Sequence, residues 1–338
     1  MVNICIYGAG AIGGYLGCCL SKAGANVSLI ARGPHKEAIE KFGLTLISNN
    51  ISENFNLKVT DNPNDLDAQD YVILAVKAHS ISSIATSLKP LFHKKTAVLS
   101  AVNGLPWWYF YNAHSGTQLD NTHIESVDPK GLIWETINPK RAIGCVVYPA
   151  CEIEKPGTIR HIEGNRFSLG EPDGINSERL KILSSLLIDG GLKAPQKKRI
   201  RDEIWIKLWG NCSFNPISAI TGASLDMIGN DLSTRYLVTQ LMNECQNVGE
   251  ALGIKFNISI HDRINGAAAI IGHKPSTRQD IEMKRPLEID PIMSALIEIG
   301  VKLNVPTPML KNINAVLKLK AEYLGLYKRD EVIETLTI

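Results

Sequence analysis

The sequence predicts an α/β N-terminal domain followed by an all-α C-terminal domain. For the first domain, an apolar segment of strand length that starts at Val2 runs into a glycine-rich turn and a helical pattern, and further apolar runs of strand length follow. For the second, helical spacing of apolar residues prevails from about residue 197 to Tyr327. We therefore predict domains at residues 1–196 and 197–338.

The first strand, Val2 to Tyr7, leads into Gly8-Ala9-Gly10-Ala11-Ile12-Gly13, and a helix is predicted from Ala11 to Ala23. A strand, a GxGxxG turn and a helix are typical of the dinucleotide-binding Rossmann fold. Gly8 would form the tight turn, Gly10 would let the pyrophosphate approach, and Gly13 would let the helix pack on the strand. The helix N-terminus adds partial positive charge. Glycine turns also occur for packing alone, but this context favours a cofactor held by all six residues.

The end of the second strand, Val27 to Ile30, indicates which nicotinamide cofactor fits. An NAD site usually has an Asp or Glu there, whereas this chain reads Ala31-Arg32-Gly33-Pro34-His35-Lys36. Arg32 can stack on an adenine and bind a 2'-phosphate, with His35 or Lys36 adding positive charge. The alternative is that Arg32 is a solvated loop residue. The missing acid favours NADP(H).

Composition and charge exclude several classes of protein. The 338 residues are 44% hydrophobic, which is enough for a large core divided into two domains. The net charge of +2 has no long basic runs, so neither nucleic acid nor an anionic membrane is expected as a partner. Seven cysteines without CxxC pairs predict reduced thiols in a cytoplasmic protein and no metal site. No apolar segment is long enough to predict a transmembrane span.

Two further apolar runs, Tyr71 to Val76 and Ala97 to Val102, are predicted to be buried parallel strands. They end in Lys77 and Asn103, and ligands of open α/β sheets bind beyond the carboxyl ends of the strands. A solvated strand end explains Lys77 equally well, and an Asn-Gly turn explains Asn103.

The segment that follows contains the aromatic run Trp107 to Tyr111, for which packing beneath a long loop is favoured over a cap on an active site. Three later strand-like segments, at 142–148, 157–162 and 166–169, are predicted to extend the edge of the sheet as antiparallel strands.

The first helix of the second domain carries Lys207, Asn211 and Asn215 at intervals of four residues. Their side chains fall within an arc of about 80° on one face. A solvated polar stripe would explain such a row, but the intervening residues Leu208 and Trp209 are apolar and indicate a helix surrounded by protein. Buried asparagine amides need partners, and a polar substrate would provide them.

A third block contains His273 to Asp280 followed by Glu288-Ile289-Asp290. Ser276 with Gln279 fits a capping box, and the two acids fit the first turn of a following helix. On the pattern alone, these structural interpretations are favoured over chemistry.

Taken together and in this order, these motifs resemble the ketopantoate reductase (2-dehydropantoate 2-reductase) family. The shared features are the glycine turn, Lys77, Asn103-Gly104, the Lys207/Asn211/Asn215-Pro216 helix, Ser276 with Gln279-Asp280, and Glu288-Ile289-Asp290. The resemblance extends to about Pro306. It implies a Rossmann domain joined to a helical domain with the active site in the cleft between them. It further implies NADPH-dependent reduction of 2-dehydropantoate to (R)-pantoate in pantothenate and coenzyme A synthesis.

The resemblance also implies a role for each site residue. Lys207 would be the general acid, with a pKa lowered by burial or by a neighbouring cation. Asn211 and Asn215 would orient the substrate, and Ser276 would bind its carboxylate. Lys77 and Asn103 would hold the nicotinamide side, with Asn103 also reaching the substrate. Glu288 would bind the ribose or the substrate hydroxyl as the second catalytic group, and Ala150 would lie beside the nicotinamide.

Departures from the family pattern leave alternatives open. The family's Ser-Met before Gln-Asp reads Ser276-Thr277-Arg278 here, which leaves room for a different branched 2-oxo acid as the substrate. A non-catalytic NADP-sensing protein is the third interpretation, although a sensor needs neither Lys207 nor Glu288. A homodimer is compatible with the sequence, which does not itself define the oligomeric state.

Overall fold

A computed structural model of the chain describes residues 1–337. Within this range the strands are β1 (Asn3–Tyr7), β2 (Asn26–Ile30), β3 (Leu44–Ser48), β4 (Ile51–Phe55), β5 (Lys58–Thr60), β6 (Gln69–Leu74), β7 (Phe92–Ser100), β8 (Ala142–Val147), β9 (Ala150–Lys155), β10 (Thr158–Glu163) and β11 (Phe167–Gly170). The α-helices are α1 (Ala11–Lys22), α2 (Gly33–Phe42), α3 (Ile81–Ile84), α4 (Leu132–Ile137), α5 (Glu178–Asp189), α6 (Ile200–Thr221), α7 (Leu225–Asn230), α8 (Leu232–Ala251), α9 (Ile260–Ala268), α10 (Ser276–Glu282), α11 (Ala295–Leu303), α12 (Pro308–Tyr323) and α13 (Glu331–Thr337).

The main sheet has seven strands in the order β11-β8-β7-β6-β1-β2-β5. All neighbouring pairs are parallel except β11 with β8. Its central strands are apolar on both faces, because helices cover a parallel sheet on both sides. The adjacent β1 residues Ile4 and Cys5, whose side chains point to opposite faces, are both 0% exposed. The predicted α/β fold, with α1 crossing over between the parallel strands β1 and β2, is confirmed.

A second sheet of four strands, in the order β4-β3-β10-β9, was not predicted. The expectation that residues 142–169 extend the main sheet as antiparallel strands is correct only for β11. Strand β8 is parallel to β7, and β10 pairs with β3 and β9 in the second sheet. This sheet packs on α1, where the Ile159 side chain occupies the space left by the missing Cβ of Gly14. The pairing of β3 with β10 joins distant segments, and no local pattern encodes it.

The chain divides into two compact units, one of which contains residues 1–111 and 132–200, the other residues 112–131 and 201–338. The aromatic residues Trp107 to Phe110 are buried in the first unit, where the Trp107 indole donates to Ser100 Oγ at 3.1 Å. The second unit is helical apart from loops such as 112–131. In the part of the chain that the structure describes, no helix is long and apolar enough to cross a membrane.

Segment 112–131 is attached to the helical unit by Glu298 of α11, whose side chain is only 1% exposed. Its carboxylate accepts hydrogen bonds from the backbone N–H groups of Glu125 and Ser126 at 3.1 and 2.8 Å, and from the Ser126 hydroxyl at 2.8 Å. Because three donors converge on one buried carboxylate, Glu298 anchors the segment to α11.

His35 of α2 connects the turn after β1 to the second sheet. The Gly157 N–H donates to His35 Nδ1 at 3.1 Å, so the ring proton is on Nε2, which donates to the Ala9 carbonyl at 2.8 Å. Burial lowers the pKa of His35, an effect that its hydrogen bond to Ala9 opposes. The folded protein therefore favours the neutral ring.

Replacement of Glu298 by Ala should destabilise the protein by about 3 kcal/mol, because three donors lose a charged, buried acceptor. The free energy of unfolding in urea measures the change. Lys302→Ala is the matched control, since its half-buried side chain places the ammonium 3.7 Å from the same carboxylate. The control should lose less than about 1 kcal/mol. Equal losses of unfolding free energy in the two variants would contradict the role of Glu298 as the anchor of segment 112–131.

The neutral state of His35 predicts a pH dependence of stability. Below a pH of about 6.5 the unfolded chain takes up a proton at this position. The folded chain resists that proton until the pH reaches its lower pKa, so its stability falls across this interval. The His35→Gln variant cannot titrate at this position, so it does not share this loss of stability. The difference in unfolding free energy between the protein and the variant should therefore shrink as the pH falls. A pH-independent difference would show that His35 is not held neutral.

Candidate active site

The turn between β1 and α1 has room for glycine alone at two of its positions. Gly8 has φ +102°, and a Cβ there would lie 2.7 Å from Val76 Cγ1. A Cβ on Gly13 would lie 2.0 Å from the Gly8 carbonyl oxygen. The tight turn and the close packing of helix on strand expected for these two glycines are therefore present.

Gly10 differs from its two neighbours in the motif. It is the N-cap residue of α1, and a Cβ built on it would meet no atom within 4 Å. No side chain caps this end of α1. Open space before an uncapped helix N-terminus is what a phosphate group requires. Ala9, Ala11 and Ile12 complete this turn.

Arg32 follows β2 as the N-cap residue of α2, and its side chain is exposed. Within residues 1–337 its guanidinium has no hydrogen-bond or ion-pair partner. The two residues expected to assist it are otherwise engaged. Lys36 lies 3.5 Å from Asp61, and both ring nitrogens of His35 bond to backbone groups. Arg32 is therefore the cation of this segment that is available to an anionic ligand.

Lys77 and Asn103 follow the neighbouring parallel strands β6 and β7, whose ends are aligned by the pairing of Leu74 with Ser100. Both side chains are half-buried and lie in the same unit as the glycine turn. The packing of Val76 against Gly8 places the end of β6 beside that turn. Ala150 is the first residue of β9 in the second sheet of this unit.

In the helical unit, α6 carries the row of polar residues predicted from the sequence. Its apolar residues Trp205, Leu208 and Trp209 are at most 1% exposed. Lys207 and Asn211 are half-buried, whereas Asn215 is 8% exposed. The row therefore lies on a helix surrounded by protein, and the solvated-stripe interpretation is wrong.

Asn215 joins the row to α10. Its amide nitrogen donates to Asn211 Oδ1 at 3.4 Å and to Ser276 Oγ at 3.3 Å. Ser276 is the first residue of α10 and does not cap it, because Pro275 occupies the N-cap position. The Gln279 side chain donates instead to the Lys274 carbonyl. The capping box expected from the sequence is therefore absent, and the Ser276 hydroxyl belongs to the polar cluster.

Glu288 lies near the same cluster. With a 9% exposed side chain, it lines a small pocket together with Asn211 and Thr277. The other lining residues are mostly apolar: Pro216, Ile289, Ile292, Met293 and Leu317. The pocket thus combines three polar residues with five apolar ones.

Sequence reasoning missed several residues of this site. Ile292 and Met293 follow Glu288 in a π-helical turn, Asp290–Ser294, and nothing distinguishes them in sequence from core residues. Arg263 of α9 packs closely against Gly210, which lies on the turn of α6 that bears Lys207 and Asn211. A Cβ built on Gly210 would lie 3.2 Å from Arg263 Nη2. A glycine within a helix of this length was the available signal for that close approach.

The similarity to known proteins covers nearly the whole chain. Residues 4–174 match the family described as ketopantoate reductase PanE/ApbA, and residues 199–321 match its C-terminal domain. A 2-dehydropantoate 2-reductase from Mesorhizobium japonicum is 46% identical over 327 residues, which is 96% of this chain and 100% of the relative. One from Lactococcus lactis is 27% identical and covers 96% and 99% of the two chains.

Solved structures agree with these matches. The crystal structure of a protein from Ralstonia solanacearum, named as a candidate ketopantoate reductase, superposes with a TM-score of 0.91 at 37% identity and covers 97% of this chain and 100% of its own. A D-mandelate dehydrogenase solved with NADH shares the fold, with a TM-score of 0.81 at 23% identity and coverage of 96% and 99%. From the matched profiles and relatives, the chain belongs to the ketopantoate reductase family of dinucleotide-dependent reductases, and it is an oxidoreductase that acts on a CH–OH group.

Proposed function

We propose that the protein reduces 2-dehydropantoate to (R)-pantoate with NADPH, a step of pantothenate and coenzyme A synthesis. The observation that carries the proposal is the polar cluster that continues from Lys207 along α6. In this cluster Asn215 bonds to Asn211 and Ser276, and Glu288 lines a pocket with Asn211. These residue types match a substrate that offers a carboxylate, a ketone and a hydroxyl. The 46% identical relative named for this reaction supports the same substrate.

The first unit suits the cofactor. Gly10 leaves open space before the N-terminus of α1, and Gly8 and Gly13 on either side of it are closely packed. In the proposal, Gly8 to Gly13 hold the pyrophosphate, and Lys77, Asn103 and Ala150 line the nicotinamide side. Arg32 binds the 2'-phosphate, because a guanidinium pairs well with phosphate oxygens and no acid competes for the position. When bound, the reduced nicotinamide supplies a hydride to the 2-oxo carbon.

The helical unit supplies the proton. Lys207 donates it to the oxygen of the 2-oxo group, which becomes the hydroxyl of the product. Asn211 and Asn215 hold the substrate by their amides, which are already oriented by the bond between them. Ser276 binds the carboxylate through its hydroxyl. Glu288 accepts a hydrogen bond from a hydroxyl of the substrate or of the ribose. The site takes one small-molecule partner, and we place the enzyme in the cytoplasm.

A different 2-oxo acid is the second candidate for the substrate. Thr277, which stands where the family usually has Met, lines the pocket beside Glu288. A smaller, partly polar side chain at this position would change the shape offered to the alkyl substituent of the substrate. The cofactor site and Lys207 are common to both candidates. For assembly we propose a homodimer, a state named for a Staphylococcus aureus ketopantoate reductase that shares the fold.

Lys207→Ala should lower kcat by about a hundredfold or more, because the developing alkoxide loses its proton donor. Initial rates of NADPH oxidation at saturating ketopantoate measure this effect. The control is Lys255→Ala, which removes an exposed lysine from the same unit. Normal turnover of Lys207→Ala would refute the assigned general acid.

Arg32→Ala should weaken NADPH binding about tenfold or more and leave NADH binding unchanged, because only the 2'-phosphate loses a charged partner. Calorimetric titration with each cofactor separates the two effects. Lys41→Ala, at the other end of α2, serves as the control. An Arg32→Ala variant that retains both NADPH affinity and the preference over NADH would disprove the cofactor assignment.

A further inference from the structure

The C-terminal part of the chain surrounds the carboxylate of Asp290. Ser294 donates a hydrogen bond to Asp290 Oδ1 at 2.7 Å, and the Tyr327 hydroxyl lies 2.9 and 3.0 Å from the two oxygens. Lys318, whose side chain is only 2% exposed, has its ammonium 3.5 Å away. Burial raises the pKa of Asp290, while Lys318, Ser294 and Tyr327 oppose that rise.

The chain around Tyr327 also binds the residue on the other side of Glu288. The Leu287 N–H donates to the Leu326 carbonyl at 3.0 Å. Two adjacent residues thus bind the chain on both sides of Glu288. Leu326 binds Leu287, the residue before Glu288, and Tyr327 binds Asp290, two residues after it. Since an extended residue spans only about 3.3 Å, the backbone at Glu288 has little freedom between these two attachments.

Helix α13 reinforces this arrangement from the end of the chain. Its residue Glu334 bonds to the Lys318 ammonium, so one buried cation joins α13 to Asp290. Removing either partner of such a buried pair leaves an uncompensated charge. The π-helical turn that starts at Asp290 is therefore held by side chains from α12, α13 and the loop between them. We call residues 326–337 the C-terminal clamp.

The match to the C-terminal domain of the family ends at residue 321, before the C-terminal clamp. Glu288, in contrast, lies within that match and lines the pocket with Asn211 and Thr277.

We propose that Tyr327 is a positioning residue that orients the Glu288 carboxylate toward the substrate by anchoring Asp290. The inference rests on the role given to Glu288 in the proposed function. Within the described residues 1–337, Tyr327 is not part of the pocket lining, and it acts through the short backbone link from Asp290 to Glu288.

Tyr327→Phe tests the inference, because it deletes the hydroxyl and keeps the ring near Lys318. Tyr323→Phe is the matched control: this tyrosine is 89% exposed at the end of α12. Hydrogen exchange of the amides at 287–294 should accelerate about tenfold in Tyr327→Phe and stay unchanged in the control. Unchanged exchange in Tyr327→Phe would overturn the inference.

A double-mutant cycle with Glu288→Gln separates positioning from general stabilisation. Tyr327→Phe alone should lower kcat/KM by about tenfold, and in the Glu288→Gln background it should lower it less than about twofold. Full additivity would show that Tyr327 does not act through Glu288 and would overturn the inference. Full activity of the Glu288→Gln variant would also overturn the inference, but it would not contradict the proposed reductase function. Absence of turnover in the unmodified protein would instead contradict the proposed function. In that case, hydrogen exchange would still show whether Tyr327 restrains residues 287–294.

Discussion

The burial of α6 is the constraint on which the proposed chemistry depends. Three of its residues, Trp205, Leu208 and Trp209, are at most 1% exposed, and the Trp209 indole donates to the Met242 carbonyl at 3.0 Å. Close packing of this kind fixes how a helix is rotated about its axis. Once that rotation is set, Lys207 and Asn211 can only lie on the half-exposed face, and Asn215 must find partners inside the protein.

In the nucleotide-binding unit, close packing also fixes the position of a helix. The contact between Gly13 and the Gly8 carbonyl brings α1 against β1, which aims the N-terminus of the helix at the open space beside Gly10. His35 secures this turn from outside by donating to the Ala9 carbonyl. Rigid elements placed by packing are better supports for functional groups than free loops, and both units use them.

The sequence was informative where the signal was local. The glycine turn, β1, β2 and the polar row in α6 could be predicted because each depends on periodicity or on backbone freedom within one short segment. The second sheet, the attachment of segment 112–131 by Glu298, and the bond from Asn215 to Ser276 join residues far apart in sequence. The apparent capping box failed for the same reason. Ser276 had a local interpretation, but Pro275 took the cap position and a distant asparagine took the hydroxyl.

The central claim is that this fold reduces ketopantoate with NADPH, and the most direct test is the initial rate of cofactor oxidation by the purified protein. Ketopantoate should be compared with a panel of other branched 2-oxo acids, each with NADPH and with NADH. The account predicts the highest kcat/KM for ketopantoate with NADPH. Tight NADPH binding without oxidation in the presence of any 2-oxo acid would contradict it.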